Sequence, residues 1–296
     1  MRRKALIRLG VVAGCLSGVV LLAASALRPD RIAGPCVLIN GPAMIPDIQE
    51  ASGLAISRRN RGIVWSHNDS GNEAVLFALD TSGNVLGRVQ LPIRTRDWED
   101  VSAGRCASGD CLYVADIGDN GLARRRIMIY RVPEPAPSDA MTAAPDVFSA
   151  TYADGRHNAE AMFVVGDDLF IVTRDRSGGL YRANAPAVGG DIEFTRIAQL
   201  GLTYVTDAEA SPDESTVVVR TSHEAVFYRT AELIRGRVAP YLIVPLDGLR
   251  EPQGEGVAMD ARGMLYLASE RRIWPPSGRL LTLRCGTALS PGELPS

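Results

Sequence analysis

The sequence predicts an all-β chain folded as a propeller of four-stranded blades, and three observations carry that prediction. First, five stretches share one pattern: an acid or small polar pair, a short strand of small and apolar residues, a turn, and a strongly apolar strand ending in polar residues. They are "ASGLAISRRNRGIVWSHND" from Ala51, "WEDVSAGRCASGDCLYVADIGDN" from Trp98, "NAEAMFVVGDDLFIVTRD" from Asn158, "DAEASPDESTVVVRTSHE" from Asp207 and "QGEGVAMDARGMLYLASE" from Gln253. Second, anchored on Gly53, Asp100, Ala161, Glu209 and Gly256, they recur at intervals of 47, 61, 48 and 47 residues, and a near-constant period of this length marks a repeat architecture. Third, each interval holds two more short strands separated by Gly, Asn and Asp turns, with almost no helical periodicity. Four strands per repeat at this period are propeller blades.

In chain order, the first 30 residues stand apart. "MRRK" with Arg8 forms a positive flank, Leu9 to Leu27 is a run of 19 residues without a charge, and "ASA" at Ala24 to Ala26 suits signal-peptidase cleavage. Residues 1–30 are therefore expected to be a signal peptide. A retained membrane anchor is the first alternative, and lipidation at the "VAGC" box ending in Cys15 is the second. All three put the globular part outside the cytoplasm, periplasmic or secreted, with the membrane touched only through this segment if it stays. Removing residues 1 to 26 takes away Arg2, Arg3, Lys4 and Arg8, four cations and no acids, so the formal charge moves from -2 to -6. A mildly acidic chain of this kind argues against a nucleic-acid partner.

The propeller domain is expected over residues 36–286, with residues 287–296 as a tail. In the first repeat "IVWSH" leads to "AVLFALD" and "LGRVQL"; in the second "CLYVAD" leads to "RIMIYRV" and "VFSATY". The Pro-rich "VPEPAPSDAMTAAP" explains the one long interval as an inserted loop. The second strands (IVW, LYV, LFIV, VVV and LYL) are apolar without alternation, as strands covered on both faces must be. Only "TAELIRG", Thr230 to Gly236, has the makings of a brief helix. After "RLLTLRC" the last repeat lacks a fourth strand, and "CVLIN" from Cys36 is the strand to supply it. Pairing the two termini brings Cys36 beside Cys285, while Cys106 and Cys111 flank the turn "ASGD". Two disulfides, Cys36–Cys285 and Cys106–Cys111, follow, along with five blades closed by the terminal strands. Six blades is the alternative if the insert hides another unit.

In a propeller the start of each first strand meets the end of each second strand on one rim. Polar residues concentrate there. Glu99, Asp100, Glu160, Asp207, Glu209 and Glu255 begin first strands, and Asn68, Asp69, Asp116, Asp119, Arg174, Asp175, Glu224 and Glu270 end second strands. His67, His157 and His223 fall at the same places. Taken singly, each acid reads as a turn former that satisfies backbone N–H groups. Taken together, like charges around one axis repel unless arginines such as Arg174 and Arg220, or a cation, offset them. A hard divalent ion, Ca²⁺ before others, suits oxygen ligands; zinc on the three histidines needs a convergence that no short spacing enforces. No G-x-S-x-G, H-E-x-x-H, P-loop or dinucleotide fingerprint is present. Trp65 and Trp98 read as blade core, Trp274 as an exposed loop contact.

The stretches "WEDVS…CLYVADIGDN…IYRVPEP", "AEAMFV…LFIVTRD", "EASPDESTVVVRT" and "PQGEGVAMD…LYLASE" make the chain resemble exported bacterial β-propellers of the phytase-like and esterase-like type. The resemblance covers most of residues 50 to 285. It implies rim acids that bind Ca²⁺ and a metal that holds phosphate, and by position carries that role to Glu99, Glu160, Glu255 and Glu270. Asp69, Asp119, Arg174, Arg220, His67, His157 and His223 are the accompanying ligand-binding candidates. Lactone-hydrolysing propellers with one axial metal are a comparable likeness. This chain departs from a phytase in having no lysine beyond Lys4 and no dense set of basic and acidic residues. The expected function is a divalent-metal-dependent hydrolase of phosphate or other esters. The alternative is a non-catalytic propeller that binds a small or anionic ligand or an extracytoplasmic protein.

Overall fold

The computed structural model describes residues 36–270 and 278–285. The signal or anchor segment expected over residues 1–30, Trp274 and the tail expected over residues 287–296 lie outside the described residues.

Runs of β-branched and aromatic residues broken by Gly, Asn and Asp turns give strands throughout. After β1 (Cys36–Ile45), the first repeat forms β2 (Ala51–Ile56), β3 (Ile63–Asn68), β4 (Val75–Asp80) and β5 (Val85–Gln90). The second forms β6 (Asp100–Cys106), β7 (Gly109–Asp116) and β8 (Ile127–Pro133), then after a two-residue β9 (Ala140–Met141) its outer strand β10 (Asp146–Tyr152). The third is β11 (Ala159–Val165), β12 (Asp168–Thr173), β13 (Gly179–Asn184) and β14 (Gly190–Gln199). The fourth is β15 (Val205–Ala210), β16 (Thr216–Thr221), β17 (Glu224–Arg229) and β18 (Pro240–Pro245), with the brief helix α1 (Thr230–Leu233) between the last two. The fifth repeat gives β19 (Gly254–Met259), β20 (Met264–Ser269) and β21 (Gly278–Cys285).

Within each repeat the strands pair antiparallel in sequence order, and β1 pairs antiparallel with β21 in a register that sets Cys36 opposite Cys285. Cys36–Cys285 and Cys106–Cys111 are both disulfides, which fits an oxidising, extracytoplasmic environment. No helix among the described residues is long and apolar enough to cross a membrane.

The Pro-rich insert holds no further blade. Its β9 adds to the edge of β5 in parallel, and the insert presses so closely on Gly87 that a Cβ there would lie 2.4 Å from Ser138 Cα. A second departure from simple repetition joins two sheets, because β10 and β14 pair in parallel to give one eight-stranded sheet.

The first strands β2, β6, β11, β15 and β19 contact one another in that order, and β19 contacts β2. They are crowded, which is why they are built from small residues ("ASGLAI", "GEGVAM"). A Cβ on Gly53 would lie 2.1 Å from Asp100 Oδ1. The second strands are buried along almost their whole length; β16, "TVVVRT", has no exposed residue. Apolar clusters fill the spaces between successive sheets, and one of them, with Leu54, Phe77, Tyr266 and Leu280, joins the last repeat to the first. The architecture is all-β and propeller-like.

Candidate functional site

The turns that end the second strands and the starts of the first strands converge on one well of about 250 Å³ at the axis. Asp69, Asp97, Glu99, Glu160, Glu255 and Glu270 line it, with Arg174 as the only cation among the described lining residues. Ser52, Ser70, Asn120 and Gln253 complete a wall that is polar almost throughout.

Local backbone bonds aim these side chains. Glu99 N–H donates to Ala115 O at 3.0 Å, and Ser52 Oγ donates to Glu99 O at 2.6 Å. Gly118 leaves room for the carboxylates: a Cβ there would sit 2.1 Å from Glu99 Oε1 and 2.5 Å from Asp97 Oδ2. Thr206 Oγ1 donates to Glu255 O at 2.9 Å, and Glu270 N–H donates to Gln253 O at 2.9 Å, which sets the two glutamates at facing ends of β19 and β20. Gln253 Nε2 donates to Glu255 Oε1 at 2.8 Å, and Arg174 pairs with Glu160. No donor among the described residues reaches the carboxylates of Glu99 or Glu270.

The electrostatic consequence is a set of carboxyls that resist ionisation. Burial, then the charges of Asp69 and Asp97, push Glu99 up to about 9. Burial and then Glu255 push Glu270 up to about 7. Burial raises Glu255 and Asp69 as well. Desolvation and mutual repulsion both penalise the charged form, and one arginine does not neutralise six acids.

The remaining sequence candidates go elsewhere, each for a visible reason. Arg220 is fully buried behind the well, where its guanidinium bonds Glu251 at 2.5 Å, Gly256 O at 2.7 Å and Ala268 O at 3.0 Å, so it ties β16 to β19 and β20 and does not face a ligand. Gly254 permits this, since a Cβ would meet Arg220 Nη2 at 1.9 Å. His67 is fully buried and stacked on Trp98 with ring centroids 4.2 Å apart, and burial holds its imidazole neutral, at about 3. His157 bonds Asp154 and Tyr181, both at 2.9 Å, outside the well. His223 is exposed and bonds Asp247 at 2.8 Å. The histidines therefore offer no zinc site. Asp119 spends its carboxylate on the N–H groups of Ala123 and Arg124, as a turn former does. Trp65 and Trp98 are core, with Trp65 Nε1 bonding Glu134 and Trp98 Nε1 bonding the Asp100 carbonyl.

Sequence reasoning missed Asp97, Asn120, Gln253, Ser52 and Ser70. Asp97 sits two residues before Glu99 in "RDWED", and that spacing on an extended segment is the signal that both acids face one side.

Asp100, Asp207 and Glu209 also begin first strands but point into the packed axis. Asp207 Oδ2 accepts the N–H of Leu54 (3.2 Å) and of Val257 (2.5 Å). Asp100 Oδ2 accepts Met162 N–H at 2.6 Å, and Glu209 accepts Ser102 Oγ and, at 3.1 Å, Ala103 N–H. Each acid thus fastens its own strand to other first strands. Asp100 and Asp207 lie within each other's electrostatic reach, and Asp207 Oδ1 has no hydrogen-bond partner among the described residues. Burial and this contact hold Asp100 well above the usual carboxylate range.

As a metal centre the well is suited by chemistry more than by spacing. Its donors are hard oxygens, but no three His, Cys, Asp or Glu side chains among the described residues stand close enough to grip one ion directly.

Comparison with known proteins adds little. No family model matches the chain, and no curated protein matches it. Among solved structures, hydrazine synthase of Kuenenia stuttgartiensis is similar at a TM-score of 0.40 and 13% identity over 80% of this chain. A chain of the mitotic checkpoint complex is similar at a TM-score of 0.37 and 10% identity over 89% of this chain and 69% of that one. The chain spans 60% of the length of the hydrazine synthase chain. Likeness this distant carries no argument about function.

Proposed function

We propose that this protein is a periplasmic or secreted five-bladed propeller, closed by β1 in the last blade, whose axial acidic well binds a divalent cation, Ca²⁺ before others. The observation that carries the binding reading is the convergence of six carboxylates on one well with Arg174 as their only lining counter-charge among the described residues. A cation entering there relieves repulsion that the protein alone leaves uncompensated. The spacing of the acids favours an ion that keeps part of its water shell, with Glu99, Glu160, Glu255 and Glu270 as the holding groups. Closure is supported by the β1–β21 register and by the apolar cluster between the last repeat and the first.

Bound there, a divalent ion would serve as an electrophile toward an anionic ligand, and the resemblance to phytase-like propellers supports a phosphate or other ester. Binding has the stronger support of the two, because no side chain among the described lining residues is paired as a nucleophile with its base.

Metal-stripped protein titrated with CaCl₂ tests the reading. A hundredfold excess over Kd stabilises the fold by about 2.7 kcal/mol, and the melting temperature should rise by about 5 °C or more. Glu160→Gln with Glu255→Gln should abolish the rise. A melting curve indifferent to Ca²⁺, Mg²⁺ and EDTA would make the acids turn formers. A panel of phosphoesters, lactones and carboxyl esters, with and without Ca²⁺, then separates a hydrolase from a binding module. Non-reducing peptide mapping that joined Cys36 to Cys106 or Cys111 would break the closure.

A further inference from the structure

A second cavity, of about 320 Å³, opens beside the well between the second and third repeats. Its walls are the loop from β7 to β8 and the loop from β10 to β11, and they carry the opposite charge. Arg124, Arg125, Arg126, Arg156, His157 and Tyr152 line it.

Three of these arginines are already positioned. Arg124 Nη1 donates to Asp116 at 2.8 Å and to Gly118 O at 2.9 Å, so its guanidinium is fixed and its charge paired. Arg126 pairs with Asp191 at 2.7 Å. Arg156 Nη1 donates only to the Leu122 carbonyl, at 3.1 Å, which binds the two loops together without spending the charge. Arg125 is exposed and makes no hydrogen bond or ion pair among the described residues. Two guanidinium charges, one from each loop, are therefore left to the cavity.

The floor supplies an independent sign. Tyr152 is buried, with 8% of its surface exposed, and its hydroxyl has no hydrogen-bond partner among the described residues. A buried hydroxyl without an acceptor is costly, and Tyr152 lines the same cavity as Asp119 and Arg124. An oxyanion there would accept from the guanidinium forks of Arg125 and Arg156, one from each loop, and the Tyr152 hydroxyl is the buried donor left to turn toward it. Several separate donors suit a tetrahedral oxyanion with three or four acceptor oxygens better than a carboxylate with two.

We propose that this cavity is an anion site, for a phosphate or sulfate group, separate from the acidic well. The two share a wall: Asn158 Oδ1 accepts Asp119 N–H at 2.6 Å, and Asn158 Nδ2 donates to Asn120 Oδ1 at 3.1 Å, with Asp119 on the cationic side and Asn120 on the acidic side.

The test is a titration of the full chain, in EDTA, with inorganic phosphate, sulfate and acetate against NaCl of matched ionic strength, read by calorimetry and melting temperature. Phosphate or sulfate should bind and stabilise where chloride does not. Arg125→Ala with Arg156→Ala should weaken that binding at least tenfold; Arg125→Ala alone, which breaks no bond among the described residues, should weaken it severalfold at an unchanged anion-free melting temperature. Tyr152→Phe should leave the anion-free melting temperature unchanged or raised, since no bond is lost, while weakening phosphate about fivefold. Absence of any phosphate-specific effect, or full affinity in the double arginine variant, would overturn the site. Acetate binding as well as phosphate would overturn the tetrahedral assignment. Loss of phosphate binding in Glu99→Gln with Glu255→Gln, or its appearance only with added Ca²⁺, would place the anion on a cation in the well and overturn the proposal without touching the cation reading.

Discussion

Two groups of carboxylates occupy the axis one layer apart, and they are in opposite physical states. The upper group (Glu99, Glu160, Glu255 and Glu270, with Asp69 and Asp97) faces a well and has few donors. The lower group (Asp100, Asp207 and Glu209) is sealed in the packed axis, where each acid accepts N–H or O–H groups from other first strands. Glu99 and Asp100 are neighbours in sequence and belong to different groups, because successive side chains of an extended chain point to opposite sides. Charge at the axis is therefore two devices: a lower layer that fastens the sheets together, and an upper layer whose repulsion is left for a ligand to relieve. A buried carboxylate with several donors contributes to stability, and one without them detracts from it.

The strongest way to break this comparison is to truncate one acid from each layer. Asp207→Ala strands the buried N–H groups of Leu54 and Val257, and at about 1–3 kcal/mol for each orphaned donor the loss should be about 3–5 kcal/mol in urea unfolding. Glu270→Ala should cost less than about 1 kcal/mol, since removing one of several repelling charges offsets the lost packing. Equal losses would erase the distinction between the layers.

A smaller effect separates the layers by pH. In EDTA, Glu99 at about 9 and Glu270 at about 7 hold protons in the folded chain that the unfolded chain has released. Their contribution to stability is thus full below about pH 4.5 and falls as pH rises through about 7 and then about 9. The raised lower-layer acids tilt stability the same way, so the upper layer is read as the difference between the native protein and Glu99→Gln with Glu270→Gln, across urea midpoints from pH 5 to 9. The variant should have the shallower slope, and saturating Ca²⁺ should flatten the native curve toward it. Parallel curves would remove the electrostatic argument for the well.

The smallest effect tests the Asp100–Asp207 contact. Asp207→Asn keeps one carbonyl acceptor for the Leu54 and Val257 N–H groups and offers Asp100 an N–H donor, so it should cost about 1–2 kcal/mol, well below Asp207→Ala, while leaving the Ca²⁺ response intact. A loss as large as that of Asp207→Ala would mean that the retained acceptor for Leu54 and Val257 contributes little and that the contact with Asp100 sets the cost.

Much of the strand order is legible in the sequence, because it depends on local signals. Turn residues at fixed spacing and unbroken apolar second strands locate the four-strand repeats, and the missing outer strand of the last repeat points to Cys36 and Cys285. Rim positions are marked as well, since strand starts and strand ends are recognisable as such. Which acids share a cavity is not written there. Asp207 and Glu209 carry the same local signature as Glu255, yet they bond amides up to 153 residues away in sequence, and no local pattern records such a partner. His67, His223 and Arg220 leave the well for the same reason: whether a polar side chain meets solvent, a stacked tryptophan or three buried acceptors is settled by what packs over it. The cationic cavity is the plainest case. Its arginines come from two loops some 30 residues apart, and the Tyr152 hydroxyl beside them has no partner among the described residues, which no local pattern records. Periodicity is written in the neighbours along the chain, whereas desolvation and charge compensation are set by neighbours in space, and those exist only once the sheets have packed.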